Sequence, residues 1–185
     1  MTIFRDLSQH ILDIAENGTN AGATLLYIDI QEYLAADRLT ITVRDNGCGM
    51  DDETLKRVVD PWFTTRTTRS VGLGIPFFKQ AAEMCGGDFD IQSVPGQGTT
   101  TRATFQHSNI DRPPLGDIVG TLLCLIVGYP DVDWNYHHQI DDREFSLETH
   151  EIREILGDDV PLSDPEVLAF LRGTLEEGLA SLGGE

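Results

Sequence analysis

The sequence predicts an α+β fold, and two hydrophobic patterns lead to that prediction. In residues 2–21 apolar side chains recur at helical spacing, which is typical of a helix with one buried face. In residues 39–45 apolar and polar side chains alternate strictly, which is typical of a strand with one face on a core. With 185 residues, 40% of them hydrophobic, the chain can bury a core, either as one domain with an extension or as two small domains.

The other elements follow from the same two periods and from the glycine, proline and polar residues between them. Residues 60–71 have little periodicity and are predicted to form a loop of the kind that often acts as a lid. Further strands are expected at residues 25–30, 89–93, 100–105, 132–140 and 144–148, and further helices at 51–59, 75–85 and 115–127, with a last helix starting near Ser163.

The charge of the chain bears on its partners and on its domain organisation. A net charge of −18 repels phosphate backbones, so direct nucleic-acid binding is not expected. Residues 1–106 carry 14 acidic and 9 basic side chains, whereas residues 107–185 carry 17 and 4. This shift, together with the proline-containing segment 107–114, predicts a domain over residues 1–106 and an acidic C-terminal extension over 107–185. The extension is expected to contain a helix, a β-hairpin and two helices.

The cysteines and the apolar runs bear on the cellular compartment in which the protein is expected. Cys48, Cys85 and Cys124 are odd in number and widely separated, which fits neither a disulfide framework nor a zinc cluster. The N-terminus lacks a basic region followed by an apolar run, and residues 118–128, the longest apolar run, are too short to span a bilayer. We therefore expect a soluble cytoplasmic protein with no membrane segment.

The end of the strand at residues 39–45 carries the strongest functional signal. Alternation places Asp45 on the same side as Leu39 and Val43, so its carboxylate should point toward the apolar core. Burying an unpaired charge is costly, which means that Asp45 needs a specific hydrogen-bond donor from the protein or from a ligand. Gly47 and Gly49 follow immediately and would let a flat ligand lie against the main chain.

Two other polar features carry both a structural and a functional interpretation. His10, Asp13, Asn17 and Asn20 line up on one face of the first helix. That face is either solvated or, through Asp13 and Asn17, able to bind water and a hard cation. The Gly-Leu-Gly run at residues 72–74 precedes a helix and is either a tight turn or an anion site at a helix N-terminus.

Three histidines of the C-terminal half also require interpretation. His137 and His138 are neighbours in a strand and face opposite ways, so a buried core histidine at His138 is favoured over a metal site. The segment around His150 is similar to the phospho-acceptor motif of sensor kinases. Gly157 limits the helix there to about two turns, however, and a short surface helix is the favoured interpretation.

Together, several blocks in the order helix, strand, glycine loop and hairpin resemble the GHKL superfamily of ATP-binding domains. This superfamily includes histidine kinases, topoisomerase ATPase subunits, heat-shock chaperone ATPases and mismatch-repair ATPases. The resemblance covers residues 2–106 and rests on the blocks at 13–24, 45–50, 60–65, 72–79 and 96–99.

The resemblance implies a fold, two ligands and a set of roles. The fold is a two-layer α/β sandwich, in which helices cover one face of a mixed sheet, and the ligands are ATP and Mg²⁺. Asp45 would accept the adenine amino group, Asn17 would bind Mg²⁺, and Asp13 would act as general base. The other implied nucleotide-binding residues are Gly47, Gly49, Arg66, Arg69, Gly72, Gly74, Lys79 and Thr99.

Two departures from the family pattern leave the reaction open. Ser70-Val71 stands where the glycine loop usually begins, and Asp13 stands where hydrolysing members carry glutamate and many kinases carry asparagine. The expected function is that of a histidine-kinase-like signalling or regulatory domain, either an ATPase or a phosphotransferase. The alternatives are a serine/threonine kinase acting in trans, as anti-sigma-factor kinases do, or a degenerate interaction module. A protein partner is expected through the C-terminal extension, and homodimerisation stays open.

Overall fold

The computed structural model describes residues 6–59, 74–157 and 160–183, and within them the chain alternates between helices and strands. The helices are α1 (Leu7–Asn20), α2 (Asp52–Val59), α3 (Gly74–Met84), α4 (Ile118–Gly128), α5 (Thr149–Leu156) and α6 (Pro165–Ser181). The strands are β1 (Leu25–Tyr33), β2 (Arg38–Asp45), β3 (Phe89–Val94), β4 (Gly98–Gln106), β5 (Asp133–Ile140) and β6 (Arg143–Glu148). Arg66, Arg69 and Gly72, together with the predicted loop at 60–71, lie outside the described residues.

The strands form one mixed sheet of six strands in the order β3-β4-β2-β1-β5-β6. β1 and β5 are parallel, and every other neighbouring pair is antiparallel. On the inner face β1 buries Leu26, Ile28 and Ile30, because alternate side chains of a strand share a face. The helices pack on this face, and the predicted two-layer α/β sandwich is confirmed.

The helix starts differ slightly from their predicted positions, and the capping residues explain why. Asp6 caps α1 by accepting a hydrogen bond from the Gln9 N–H at 3.1 Å. The last helix begins at Pro165, and its N-cap is Asp164, which accepts from the Glu166 N–H at 2.8 Å. The prediction had placed that start near Ser163.

None of the helices in the described part of the chain combines the length and apolar composition needed to cross a bilayer.

The segment after residue 106 contributes directly to the sheet. β5 pairs along its length with β1, and it buries Trp134 and Tyr136 in the shared hydrophobic core. The expected order of helix, hairpin and two helices is observed there. The division into units 1–106 and 107–185 stays a prediction.

A partly buried polar network joins this C-terminal segment to the rest of the sheet. The Glu32 carboxylate of β1 accepts hydrogen bonds from His138 Nε2 at 2.8 Å and from His107 Nε2 at 2.7 Å. Because His138 donates through Nε2, its Nδ1 accepts from the Tyr136 hydroxyl at 2.9 Å. Burial alone would raise the pKa of Glu32, but the two histidines outweigh it and hold that pKa below its ordinary value. His138 is therefore a core histidine, as predicted.

The helix that carries His150 is short and lies at the surface. α5 spans Thr149–Leu156 and ends at Gly157, whose φ of 71° stops the helix. His150 is exposed and lies 3.2 Å from a Glu154 carboxylate oxygen. The prediction of a two-turn surface helix is confirmed.

Candidate functional site

A cavity of about 530 Å³ opens between the sheet and the N-terminal helices. α1 contributes Ile14, Asn17 and Gly18, and the sheet contributes Asp45, Thr99 and Thr101. Asn20 and Ala21 at the end of α1, together with residues of α2, α3 and the loop after β2, complete the described lining. The volume lies in the range of small-molecule sites, and the lining is apolar with a few polar groups, as is typical of such sites.

Asp45 is the last residue of β2, and its carboxylate lines this cavity, as strand alternation predicts. Its Oδ1 accepts a hydrogen bond from the Gly47 N–H at 2.8 Å. Burial raises the pKa of Asp45, while backbone hydrogen bonds at Gly47 and Thr99 act in the opposite direction. A carboxylate held in this position is a ready acceptor for a donor group of a ligand.

Gly18 explains how α1 can approach Asp45 so closely. A Cβ atom at Gly18 would lie 2.8 Å from the Cβ of Asp45 and 3.0 Å from Leu26, well inside normal carbon contact distance. The role of Gly18 in the cavity was missed in the sequence interpretation. A glycine inside a helix is costly, and this was the available signal that packing requires it.

The loop after β2 is held between α1 and the β3–β4 turn. Its Cys48 N–H donates to the Ala21 carbonyl at 2.9 Å, and the Cys48 carbonyl accepts from the Gly96 N–H at 2.7 Å. Gly49 has a φ of 64°, and a Cβ there would overlap the Val94 carbonyl. The loop backbone therefore forms a fixed wall of the cavity.

Asp13 and Asn17 lie one turn apart on α1, beside the same cavity. Asp13 Oδ2 and Asn17 Nδ2 are buried, yet neither atom has a hydrogen-bond partner among the described residues. Burial, followed by the nearby charge of Glu16, raises the pKa of Asp13. Buried polar atoms without partners are uncommon in folded proteins, so this pair favours a ligand over the solvated-face interpretation.

Gly74 begins α3 against the Asp13 side chain. A Cβ at Gly74 would overlap the Asp13 carboxylate, so only glycine allows this approach. The first-turn N–H groups of α3, which have no partner within their own helix, therefore lie next to Asp13. Lys79 is further along α3, where its ammonium lies 3.9 Å from a Glu83 oxygen, and it does not belong to the cavity lining.

His10 lies on the same polar side of α1 but is part of the core. It is 1% exposed, and its ring stacks on Phe78 with 5.3 Å between the ring centroids. Burial lowers the pKa of His10 to about 4, against a smaller opposing effect of Asp6. A solvated face is therefore wrong for His10, which is neutral near pH 7.

Of the predicted site residues, the structure brings seven together. Asn17, Asp45, Gly49 and Thr99 line the cavity. The other three, Asp13, Gly47 and Gly74, contact these residues or one another at its margin. Within residues 6–59, 74–157 and 160–183, no three His, Cys, Asp or Glu side chains lie close enough to hold a metal ion by themselves.

Comparison with known proteins identifies the family. Residues 1–109 match the sequence model of the family described as histidine kinase-, DNA gyrase B-, and HSP90-like ATPase. The chain belongs to this family. The described cavity lies within the matched range, between the family's helices and sheet.

Two bacterial sensor kinases illustrate the similarity of this ATPase-family chain to known proteins. It is 40% identical over 108 residues to sensor protein kinase FleS of Pseudomonas aeruginosa. The aligned region covers 58% of this chain and 26% of FleS. It is 35% identical over 95 residues to the signal transduction histidine-protein kinase AtoS of Escherichia coli. This second aligned region covers 51% of this chain and 16% of AtoS. The matched region is thus about a quarter or less of the length of these two kinases.

A solved structure of the same fold is the Aquifex aeolicus MutL ATPase domain complexed with ADP. It superposes on this ATPase-family chain with a TM-score of 0.52. The superposed region covers 92% of this chain and 88% of the MutL domain. The sequence identity is 13%, so this likeness shows the fold alone.

Proposed function

We propose that the cavity binds ATP with Mg²⁺ and that the chain acts as the nucleotide-binding module of a histidine-kinase-like signalling protein. The observation that carries this proposal is the Asp45 carboxylate, which lines a cavity of about 530 Å³ and is held in place by backbone N–H donors, among them the Gly47 N–H to Oδ1. Adenine's exocyclic amine is a donor that can satisfy such a carboxylate. The fixed backbone of the glycine loop offers a flat surface for the ring.

Asn17 and Asp13 are suited to the phosphate end of the nucleotide. Both carry buried polar atoms without partners in the described part of the chain. The unpartnered Asn17 Nδ2 is a hydrogen-bond donor and suits a phosphate oxygen. The amide oxygen of the same residue would hold Mg²⁺, since this ion prefers oxygen ligands and shares its shell with water and phosphate. Mg²⁺, when bound, would neutralise phosphate charge. The N-terminus of α3 would add N–H donors for phosphate oxygens.

Asp13 is the group that would accept a proton from water or a hydroxyl. Its pKa is raised by burial, which makes it a stronger base than an exposed aspartate. Its contact with Gly74 fixes its position at the start of α3. The proposed setting is the cytoplasm, with the C-terminal segment contacting a protein partner.

Replacement of Asp45 with asparagine tests nucleotide binding. Asparagine would place a neutral amide, which can also donate, where the carboxylate only accepts hydrogen bonds. A hydrogen bond to a charged group contributes about 1.5–3 kcal/mol, so we expect about 100-fold weaker ATP binding. Isothermal titration with a non-hydrolysable ATP analogue and Mg²⁺ measures the affinity. Thermal melting with the same ligands checks it, because a ligand of the native state raises the melting temperature.

The matched control is Asp142→Asn, an exposed aspartate at the β5–β6 turn. It should bind the analogue like the wild type. If the wild type shows no binding and no thermal shift at millimolar nucleotide, the proposal is wrong and an interaction module is favoured. Equal affinity of the wild type and Asp45→Asn would remove Asp45 from the site.

Replacement of Gly74 with alanine tests the role of Asp13. The new methyl group would displace the Asp13 carboxylate, so we expect at least tenfold slower phosphate release with an affinity change of less than threefold. The control is Gly173→Ala in α6, where no atom lies within 4 Å of the added Cβ. An unchanged rate in Gly74→Ala would show that Asp13 does not act as the base.

A further inference from the structure

A second cavity lies on the opposite face of the sheet, behind the proposed nucleotide site. It has a volume of about 360 Å³ and is lined by the ends of β1, β2, β3 and β4. Asp45 and Thr99 contribute to both cavities, whereas their neighbours Arg44 and Thr100 line only this one. Successive residues of a strand face opposite ways, so a single layer of backbone separates the two cavities.

Strand register builds this cavity from one row of side chains. Gln92 pairs with Thr100, Thr100 with Arg44, and Arg44 with Tyr27, so four strands place these residues side by side. Leu25 and Val94 add apolar surface at the ends of their strands. The row therefore combines a cation, neutral polar groups and a small apolar area.

Arg44 is held in this row without an acidic partner. Its guanidinium lies over the Tyr27 ring, 4.2 Å from the ring centroid, and forms no ion pair within the described residues. In the adjacent row, by contrast, Asp29 accepts a hydrogen bond from His137 at 2.5 Å.

We propose that this second cavity binds one carboxylate group that carries a short apolar part. A guanidinium fork binds carboxylates through two parallel hydrogen bonds, and stacking on Tyr27 orients that fork beforehand. Arg44 is the only cation in the described lining and Asp45 is the only acidic residue there, so the lining suits a single negative charge better than a phosphate dianion. Leu25 and Val94 would contact the apolar part of the ligand.

The carboxylate can come from a free small molecule or from a glutamate of a partner segment. Benzoate and its uncharged isostere benzamide probe the first source. A capped pentapeptide with a central glutamate, compared with its glutamine version, probes the second. Backbone amide shifts of the ¹⁵N-labelled full chain report on both, without nucleotide, so the result does not depend on the proposed function.

We expect benzoate or the glutamate peptide to shift the amides of Leu25, Gln92 and Thr100 with a dissociation constant of about 1 mM. Benzamide or the glutamine peptide should bind at least tenfold more weakly. Arg44→Gln should abolish these shifts, while Arg172→Gln in α6, another exposed arginine, should leave them unchanged. Arg44→Lys should bind with intermediate strength, because it keeps the charge and loses the fork.

The outcomes that contradict the proposal are specific. Equal shifts with the charged and uncharged probes would show that the carboxylate is not recognised. Binding that survives in Arg44→Gln, or shifts confined to other surfaces, would place recognition elsewhere. Absence of shifts with both benzoate and the glutamate peptide at 50-fold above the expected dissociation constant, roughly 50 mM, would also refute it.

Discussion

Replacement of Gly98 with alanine should destabilise the fold by about 4 kcal/mol or more. Gly98 begins β4 with a φ of 99°, a conformation that residues with a Cβ rarely adopt. In addition, the added Cβ would overlap the backbone carbonyl of Asp45 on the paired strand. The clash involves two backbones in a ladder, so it cannot be relieved by rotation of a side chain.

Gly96 provides the matched control, because it lies in the same turn and also has a positive φ. Its φ is 78°, but no atom lies within 4 Å of a Cβ built there. Gly96→Ala should therefore cost only the backbone strain, about 1–2 kcal/mol. Urea unfolding of the two variants measures the difference. If Gly98→Ala and Gly96→Ala lowered the free energy of unfolding by similar amounts, β2 and β4 would have to separate easily at this point, contrary to the structure.

The elements of this chain were predictable because their signals are local. Strand alternation depends only on neighbouring residues, and it predicted correctly that Asp45 faces the apolar side of β2. In α6, likewise, Val167, Leu171 and Leu175 recur at helical spacing and are buried together. The family resemblance then supplied the two-layer arrangement, which the structure confirms.

Other features depend on contacts between distant segments, and local patterns do not encode them. The parallel pairing of β1 with β5 joins residues more than 100 positions apart. The close packing of Gly74 on Asp13 and of Gly18 on Asp45 depends on how α1 sits against the sheet and α3. The burial of His10 was mispredicted for the same reason, since Phe78 of α3 covers a ring that the helix pattern alone would leave solvated.

Replacement of Glu32 with glutamine should lower the free energy of unfolding by about 3 kcal/mol near pH 7. The carboxylate side chain is 15% exposed and accepts hydrogen bonds from both His107 and His138. The glutamine amide has one acceptor and one donor end, so at least one histidine N–H would face a donor. Urea unfolding measures the loss.

The control is Glu144→Gln, which also removes a carboxylate beside a histidine. Glu144 is 73% exposed and lies 3.4 Å from His137 Nε2, so its replacement should change stability by less than about 0.5 kcal/mol. If Glu32→Gln and Glu144→Gln lowered the free energy of unfolding by similar amounts, burial would not strengthen the hydrogen bonds of Glu32.

The pH dependence follows from the lowered pKa of Glu32 in the folded state. Burial opposes this shift, but the histidine contacts outweigh it. A carboxyl with a depressed folded pKa contributes stability that is present above its unfolded value of 4.5 and is lost as pH falls through the folded value. The stability difference between the wild type and Glu32→Gln should therefore shrink below pH 4.5. A difference that grows on acidification would contradict this assignment.

The same variant tests whether residues 107–185 form a separate unit. Glu32 lies in β1, whereas His107 and His138 belong to the segment after residue 106, so the network joins the two parts. If the chain unfolds as one unit, Glu32→Gln should shift a single transition seen by far-UV circular dichroism and by tryptophan fluorescence. The fluorescence is measured in a Trp62→Phe background, where it reports on Trp134 alone, which is buried in β5. Two separated transitions would instead support the division at residue 106, with the hairpin detaching from β1 before the nucleotide-binding part unfolds.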